Sequence, residues 1–261
     1  MQKDIATAPA AAALLREIAR CPIISANLSD SGAVHPCTTI IQVQGTRSLV
    51  ERHLPEPWNG SLERSSILFV SSNPSINELE QYPRGNWSDE LMTDFFSRRF
   101  GGGVKPWTVD ALRPLHEDGG YAAGWVHFWA SVRARAAELL GRAAVPGNDY
   151  SITEVVHCKS ADEIGVSAAA TFCADRYLTR LLAVSGARVV VVLGGVADAQ
   201  VRRVFGLPLT GRIHGPVKLG HEERHFAFLP HPNSRIRKTF AACLTGEELS
   251  RLREVAHREG E

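Results

Sequence analysis

The feature that most constrains this chain is a run of four apolar residues that ends abruptly in a polar turn. Residues 67–70 read Ile-Leu-Phe-Val, which is typical of a strand buried on both faces of a sheet. The residues that follow are Ser71, Ser72, Asn73 and Pro74, and they stop the strand. Ligands in open α/β sheets bind beyond the carboxyl ends of strands, so we expect the Asn73 amide to lie at such a place.

The same arrangement recurs near the other end of the chain. Residues 226–229 read Phe-Ala-Phe-Leu, and the turn after them consists of Pro230, His231, Pro232 and Asn233. Two predicted strands therefore end in polar residues whose backbone is restrained by proline.

Apolar runs alternate with amphipathic stretches in the rest of the chain. Strands are predicted at 38–43, 151–158 and 188–193, and helices at 9–20, 88–100, 125–140, 167–182, from 195 onwards and at 246–257. Ser88 and Thr245 are the predicted N-caps of two helices. This order predicts an α/β fold of three layers, α/β/α, with a central, mainly parallel sheet of four to five strands. We expect one domain over residues 1–261, with an N-terminal helix and loop (1–37) packed on it.

Composition narrows the function classes. The 261 residues carry a formal net charge of +1, so an anionic partner must be met by a local cluster of Arg and Lys. The chain has no apolar run of about 18 residues and no secretory pattern at its start, and we expect a soluble, cytoplasmic monomer without membrane contacts.

The dinucleotide fingerprint is absent, so we expect no nucleotide cofactor. Gly194-Gly195 either cradles a phosphate or allows close helix packing.

Together the motifs resemble those of the uracil-DNA glycosylase superfamily, and most closely its iron-sulfur branch. The resemblance covers residues 19–238 and rests on the segments Ser71-Ser72-Asn73-Pro74-Ser75, Thr153-Glu154-Val155-Val156-His157-Cys158-Lys159, Val189-Val190-Val191-Val192-Leu193-Gly194-Gly195 and His231-Pro232-Asn233-Ser234. It implies a uracil-DNA-glycosylase-like fold and a monofunctional DNA glycosylase. Such an enzyme flips uracil or a related deaminated base out of DNA and hydrolyses its N-glycosidic bond, the first step of base excision repair.

The resemblance implies two catalytic residues. Asn73 matches the residue that holds the attacking water, and an amide orients water but takes up no proton at neutral pH. His231 matches the histidine that stabilises charge on the departing base. Their loops must then meet across one pocket that admits a nucleobase. Alternatively, Asn73-Pro74 and His231-Pro232 are ordinary structural turns. Two other functions stay open: a non-catalytic or slow binder of damaged or abasic DNA, and a nucleoside or nucleotide hydrolase.

Glu154 departs from the family pattern. Ser71, Ser72 and Pro74 complete the water-binding motif, but Glu154 stands where the family has an Asn that reads the pyrimidine edge. An ionised carboxylate would be repelled by uracil O4. Either Glu154 is held protonated by burial, or His157 reads the base, or the base is a purine lesion such as hypoxanthine. Alternatively, Glu154 points away from the pocket and pairs with a cation.

Other residues are assigned to the flipped base and to DNA by the same resemblance. Trp87 is the expected stacking partner of the base, with Tyr82 as second choice, although both also suit an ordinary core. The loop after His231 would enter the duplex. Ser234 at its start would contact the flipped nucleobase. Arg235, Arg237 and Lys238 would contact phosphates, and Ile236 would wedge between the stacked bases. The alternative is a solvated charged turn.

Five cysteines in a cytosolic chain favour thiols or metal ligands over disulfides. Cys158 and Cys173, with fourteen residues between them, match the later ligand pair of the iron-sulfur branch, and Cys21 matches half of its early pair. Ile18 replaces the other half, and Cys37 would supply the fourth ligand. The resemblance thus implies a structural [4Fe-4S] cluster, and four buried thiols without a cluster are the alternative.

Overall fold

A five-stranded sheet lies at the centre of the computed structural model, which describes residues 8–29, 34–219, 222–236 and 238–257. The helices are α1 (Pro9–Ala19), α2 (Pro22–Ser29), α3 (Thr38–Gln42), α4 (Asp89–Arg98), α5 (His127–Leu140), α6 (Val166–Val184), α7 (Gly195–Phe205), α8 (Phe240–Cys243) and α9 (Gly246–His257). The strands are β1 (Ile67–Ser71), β2 (Thr108–Val109), β3 (Arg113–Pro114), β4 (Tyr150–Glu154), β5 (Val189–Leu193), β6 (Ile213–Leu219) and β7 (Glu222–Leu229).

The sheet has the strand order β4-β1-β5-β7-β6. β1 pairs in parallel with β4 and β5, and β5 pairs in parallel with β7, whereas β6 runs antiparallel to β7. This confirms the predicted mainly parallel sheet. The carboxyl ends of the four parallel strands lie at the same edge, which is where ligands bind in such sheets.

Helices cover both faces of the sheet and produce three layers. Leu68 and Val70 of β1 pack into a core with α1, α6 and α7, while Ile67 and Phe69 pack into a second core with α5, α8 and α9. Since every residue of β1 is buried, its uninterrupted apolar sequence is explained by two covered faces. In the part of the chain that is described, no helix combines the length and apolar character needed to span a membrane.

Two helix starts agree with their sequence patterns. Ser88 Oγ accepts a hydrogen bond from the Leu91 N–H at 3.2 Å and caps α4. At α9, Thr245 Oγ1 accepts from the Glu248 N–H at 3.2 Å, and Glu248 Oε2 accepts from the Thr245 N–H at 2.8 Å. This reciprocal pair is the predicted capping box.

Two local predictions are wrong, and some elements were not predicted. Residues 38–43 form helix α3 instead of a strand, because Ile40 and Ile41 fill the core beside α6 and so short an apolar run does not fix the period. Helix α2 was not predicted, and it begins at Pro22, which suits a first helical turn. The strand predicted at 151–158 ends at Glu154, and edge strand β6 was not predicted at all.

Candidate active site

A cavity of about 530 Å³ opens at the carboxyl edge of the sheet. Each of three strand ends contributes polar residues to its wall: Ser71, Ser72, Asn73 and Pro74 at β1, Glu154 at β4, and His231 and Asn233 after β7. The parallel topology brings these distant segments together. Asn73 and His231, the two residues expected to act in catalysis, therefore line one cavity.

The Asn73 side chain is held by its own turn. Its Nδ2 donates to the Pro74 carbonyl at 3.0 Å, and its Oδ1 lies 3.4 Å from the Ser72 hydroxyl. The Ser72 hydroxyl also donates to Glu163 Oε1 at 2.9 Å. The amide oxygen is thus fixed in orientation, and it retains the capacity to accept a hydrogen bond from a water.

His231 is arranged as a neutral hydrogen-bond donor. The Asn233 N–H donates to His231 Nδ1 at 3.2 Å, so the proton of the neutral ring lies on Nε2. Burial lowers the pKa of His231, and the Glu163 carboxylate opposes this effect only in part. The lowered pKa favours the neutral ring near pH 7. The ring stacks on Phe128, with centroids 5.7 Å apart and an interplanar angle of 23°.

A glycine is needed at residue 194 because His231 lies against its backbone. Gly194 has a φ of +87°, and a Cβ at this residue would lie 3.0 Å from the His231 Cβ. Its N–H also donates to the Leu229 carbonyl at the end of β7. Close packing against the His231 loop thus accounts for a glycine at residue 194.

The Glu154 carboxyl group lies in the cavity wall beside Ser71, its partner in the β1–β4 register. The residue is 4% exposed, and its Oε2 is enclosed without a hydrogen-bond partner among the described residues. Burial raises the pKa of Glu154 well above its usual range, the Glu56 carboxylate adds to this effect, and the Lys159 ammonium opposes it. Burial therefore favours the neutral carboxylic acid form of Glu154.

The wall of the cavity also contains a buried charge cluster, which consists of Glu56, Glu80, Arg99 and Lys159. Arg99 Nη1 donates to Glu56 Oε2 at 3.1 Å, and Arg99 Nη2 bonds Glu80. Lys159 Nζ lies 3.8 Å from Glu56 Oε2. Sequence analysis missed this cluster, because isolated charges in loop segments look like ordinary surface residues.

The two aromatics expected to stack on a base lie elsewhere. Trp87 packs against Trp107 with ring centroids 5.5 Å apart, outside the cavity wall. Tyr82 is fully buried, and its hydroxyl donates to Glu56 at 3.0 Å. Phe128 lines the cavity instead. Its place depends on how α5 packs, which no local pattern reveals.

The loop after His231 is partly exposed. Ile236 is 63% exposed and Arg235 is also exposed, whereas Arg237 lies outside the described residues. The Lys238 ammonium donates to the Pro232 carbonyl, and also to the Ser234 carbonyl at 3.1 Å. Lys238 thus braces the loop. Ser234 does not line the cavity, but its N–H donates to the His231 carbonyl at 2.8 Å.

The four cysteines expected to ligate a cluster converge on a second, small apolar cavity. Cys21, Cys37, Cys158 and Cys173 line it together with His157, which does not reach the first cavity. Burial raises the pKa of Cys37 to about 11 and that of Cys173 to about 12, and neighbouring thiols add to both shifts.

Four thiols from four segments suit a [4Fe-4S] cluster chemically. No His, Cys, Asp or Glu side chains within the described ranges are grouped tightly enough to hold a single metal ion. A cubane spreads its four ligands over four irons, so its thiolates need not surround one point.

No protein-family model matches this chain, and no curated protein matches it either. Function must therefore be inferred from the residues around the two cavities.

Proposed function

We propose that the protein is a monofunctional DNA glycosylase that excises uracil or a related deaminated base from DNA by hydrolysing the N-glycosidic bond. The observation that carries this proposal is that Asn73 and His231 line one cavity at the carboxyl edge of a parallel sheet. The order of its motifs also resembles the uracil-DNA glycosylase superfamily.

Each side chain has a role that follows from its chemistry. His231 Nε2–H donates a hydrogen bond to the carbonyl oxygen on which negative charge develops as the base departs. Asn73 Oδ1 accepts a hydrogen bond from the attacking water and fixes its direction. Phe128 supplies an aromatic wall for the extruded base.

Glu154 suits the recognition of a deaminated base when it is neutral. A carboxylic acid donates one hydrogen bond and accepts another, as an amide does. A carbonyl next to a ring N–H would satisfy both groups, and uracil and hypoxanthine each present this edge. Cytosine and adenine present an amino group next to a ring acceptor, which reverses the pattern.

DNA would be held by the loop after His231. Arg235 is exposed there and suits a phosphate, and the exposed Ile236 suits a wedge between bases. A [4Fe-4S] cluster held by Cys21, Cys37, Cys158 and Cys173 would act as a crosslink between the N-terminal segment and the sheet.

Release of free base from oligonucleotides that contain uracil or hypoxanthine tests the proposal, with undamaged DNA as the reference. We expect His231→Ala and Asn73→Ala to lower the rate by about 10²-fold or more. The matched controls are His257→Ala and Asn148→Ala, which alter exposed residues away from the cavity.

Two outcomes count against catalysis as proposed. Base release that survives both cavity substitutions would refute the assignment. Tight binding of damaged DNA without release would favour the alternative of a non-catalytic binder, to which the departure of Glu154 from the family pattern points.

A further inference from the structure

Hydrolysis requires a proton acceptor, and the residues discussed so far do not provide one. The Asn73 amide takes up no proton near neutral pH. His231 already carries its proton on Nε2, and its Nδ1 accepts from the Asn233 N–H. Glu154 Oε2 is enclosed, and Glu56 and Glu80 are both bonded to Arg99. A water that attacks the sugar must therefore lose its proton to another group.

Glu163 brings a carboxylate to the same cavity wall. Its Oε1 accepts from the Ser72 hydroxyl at 2.9 Å, and that hydroxyl lies 3.4 Å from Asn73 Oδ1. The carboxylate and the amide thus flank one hydroxyl group in the cavity wall. Glu163 also acts electrostatically on His231, so its charge lies within range of the ring.

The backbone at Glu163 is in an unusual conformation. Asp162 has a φ of +52° and Glu163 a φ of +57°, the left-handed region that residues other than glycine seldom adopt. The turn is tied to the Asn73 loop because the Ser160 N–H donates to the Pro74 carbonyl at 3.0 Å. Ser160 Oγ also donates to the Ile164 carbonyl at 2.8 Å. Such outliers persist where surrounding contacts impose them, and they cluster at functional sites.

We propose that Glu163 is the general base of the reaction and removes a proton from the water that Asn73 orients. The inference rests on the proposed glycosylase function. The water oxygen forms the new bond to C1′, and the bond from C1′ to the base nitrogen breaks. Its electron pair leaves with the base, whose charge His231 stabilises. The water proton passes to the Glu163 carboxylate, which then releases it to solvent at the exposed mouth of the cavity.

Single-turnover base release by Glu163→Gln tests this role. Glutamine still accepts the hydrogen bond from Ser72, so a purely structural role would survive, but it cannot take up a proton. We expect a rate loss of about 10²- to 10⁴-fold, the usual contribution of general base catalysis, with DNA affinity unchanged. Glu90→Gln is the control, since Glu90 is an exposed carboxylate on α4.

Chemical rescue gives a second readout. Formate should restore part of the rate to Glu163→Ala, because a small carboxylate can enter the space left by the side chain. A structural defect would not respond to formate.

The outcomes distinguish a failure of the Glu163 general base from a failure of the proposed glycosylase function. If base release depends on Asn73 and His231 but Glu163→Gln keeps the wild-type rate, or formate does not raise the rate of Glu163→Ala, the general base is refuted and the glycosylase stands. If the wild type releases no base, or release ignores His231→Ala, the glycosylase proposal fails and the role of Glu163 fails with it.

Discussion

Replacing Glu154 by glutamine tests the electrostatics of the cavity directly. Glutamine has the shape of a protonated glutamate and also donates and accepts hydrogen bonds, but it cannot ionise. Glu154 is 4% exposed, and burial, with the Glu56 carboxylate as second cause, raises its pKa well above the usual range. We expect Glu154→Gln to fold normally and to change how the free energy of unfolding depends on pH.

Proton binding sets the sign of this change. Above the pKa of an unfolded glutamate, about 4.3, the unfolded state releases the Glu154 proton while the folded state keeps it. Wild-type stability therefore falls as pH rises from there to the raised folded pKa, by at most about 1.4 kcal/mol per pH unit for one proton. The variant lacks this term, so its stability relative to the wild type should rise by that amount per unit.

Urea unfolding of both proteins between about pH 5 and pH 8 measures the difference. Other titrating groups are shared and cancel, and Glu90→Gln reports the effect of removing an exposed carboxylate. A stability difference between Glu154→Gln and wild type that stays constant over this range would refute the neutral carboxyl group. The variant should also keep base release near pH 7, whereas Glu154→Ala should lose discrimination between uracil and cytosine.

Three other substitutions probe the rest of the molecule. Gly194→Ala puts a Cβ at a φ of +87° and 3.0 Å from the His231 Cβ, so we expect slower base release and a loss of about 1–2 kcal/mol in urea unfolding. Arg99→Met removes the cation that bonds both Glu56 and Glu80 and leaves only the more distant Lys159 beside Glu56, and unfolding should show a loss of about 3–5 kcal/mol. Cys158→Ser should abolish the absorbance at about 400 nm expected of a bound cluster, and Cys243→Ser should keep it.

Each of these expectations has a contrary result. Wild-type base release by Gly194→Ala would show that His231 does not depend on close packing at that residue. A loss below about 1 kcal/mol in Arg99→Met would show that its carboxylate partners are already neutral. Wild-type protein that is colourless after anaerobic purification would leave the four cysteines as buried thiols.

The sheet was predictable because its strands are buried on both faces. Residues 67–70 and 188–193 are almost wholly apolar, and a parallel sheet between two helical layers is the fold that demands this pattern. Residues 38–43 mislead for a related reason. Ile40 and Ile41 are adjacent and both buried, which a strand covered on both faces and a short core helix explain equally well.

Edge strand β6 could not be predicted in the same way, because it is more exposed than the central strands. Most of its residues are at least partly exposed, and Gly215-Pro216 interrupts it where the register with β7 shifts. Proline and glycine are tolerated at a sheet edge, but in a sequence they look like a loop.

The candidate site was only partly predictable. Asn73 and His231 stand at strand ends, and strand ends are visible as the point where an apolar run stops. Phe128 reaches the cavity through the packing of α5, and Glu163 through a turn with positive φ at residues that give no sign of it. Long-range placement of this kind is absent from local sequence patterns, although an acidic pair before a glycine at 162–165 marks a turn.

The charges around the cavity bear on the proposed departure of an anionic base. An ionised carboxylate beside the base would repel it, and burial raises the pKa of Glu154 and so favours its neutral form there. Glu56, which also lines the wall, is paired with Arg99 and Lys159, whose positive charges offset its own. His231 Nδ1 accepts from the Asn233 N–H, which leaves the Nε2–H free to donate to the departing base. In the proposed reaction Glu163 becomes neutral as it takes up the water proton, so negative charge passes from its carboxylate to the base and does not accumulate at the cavity.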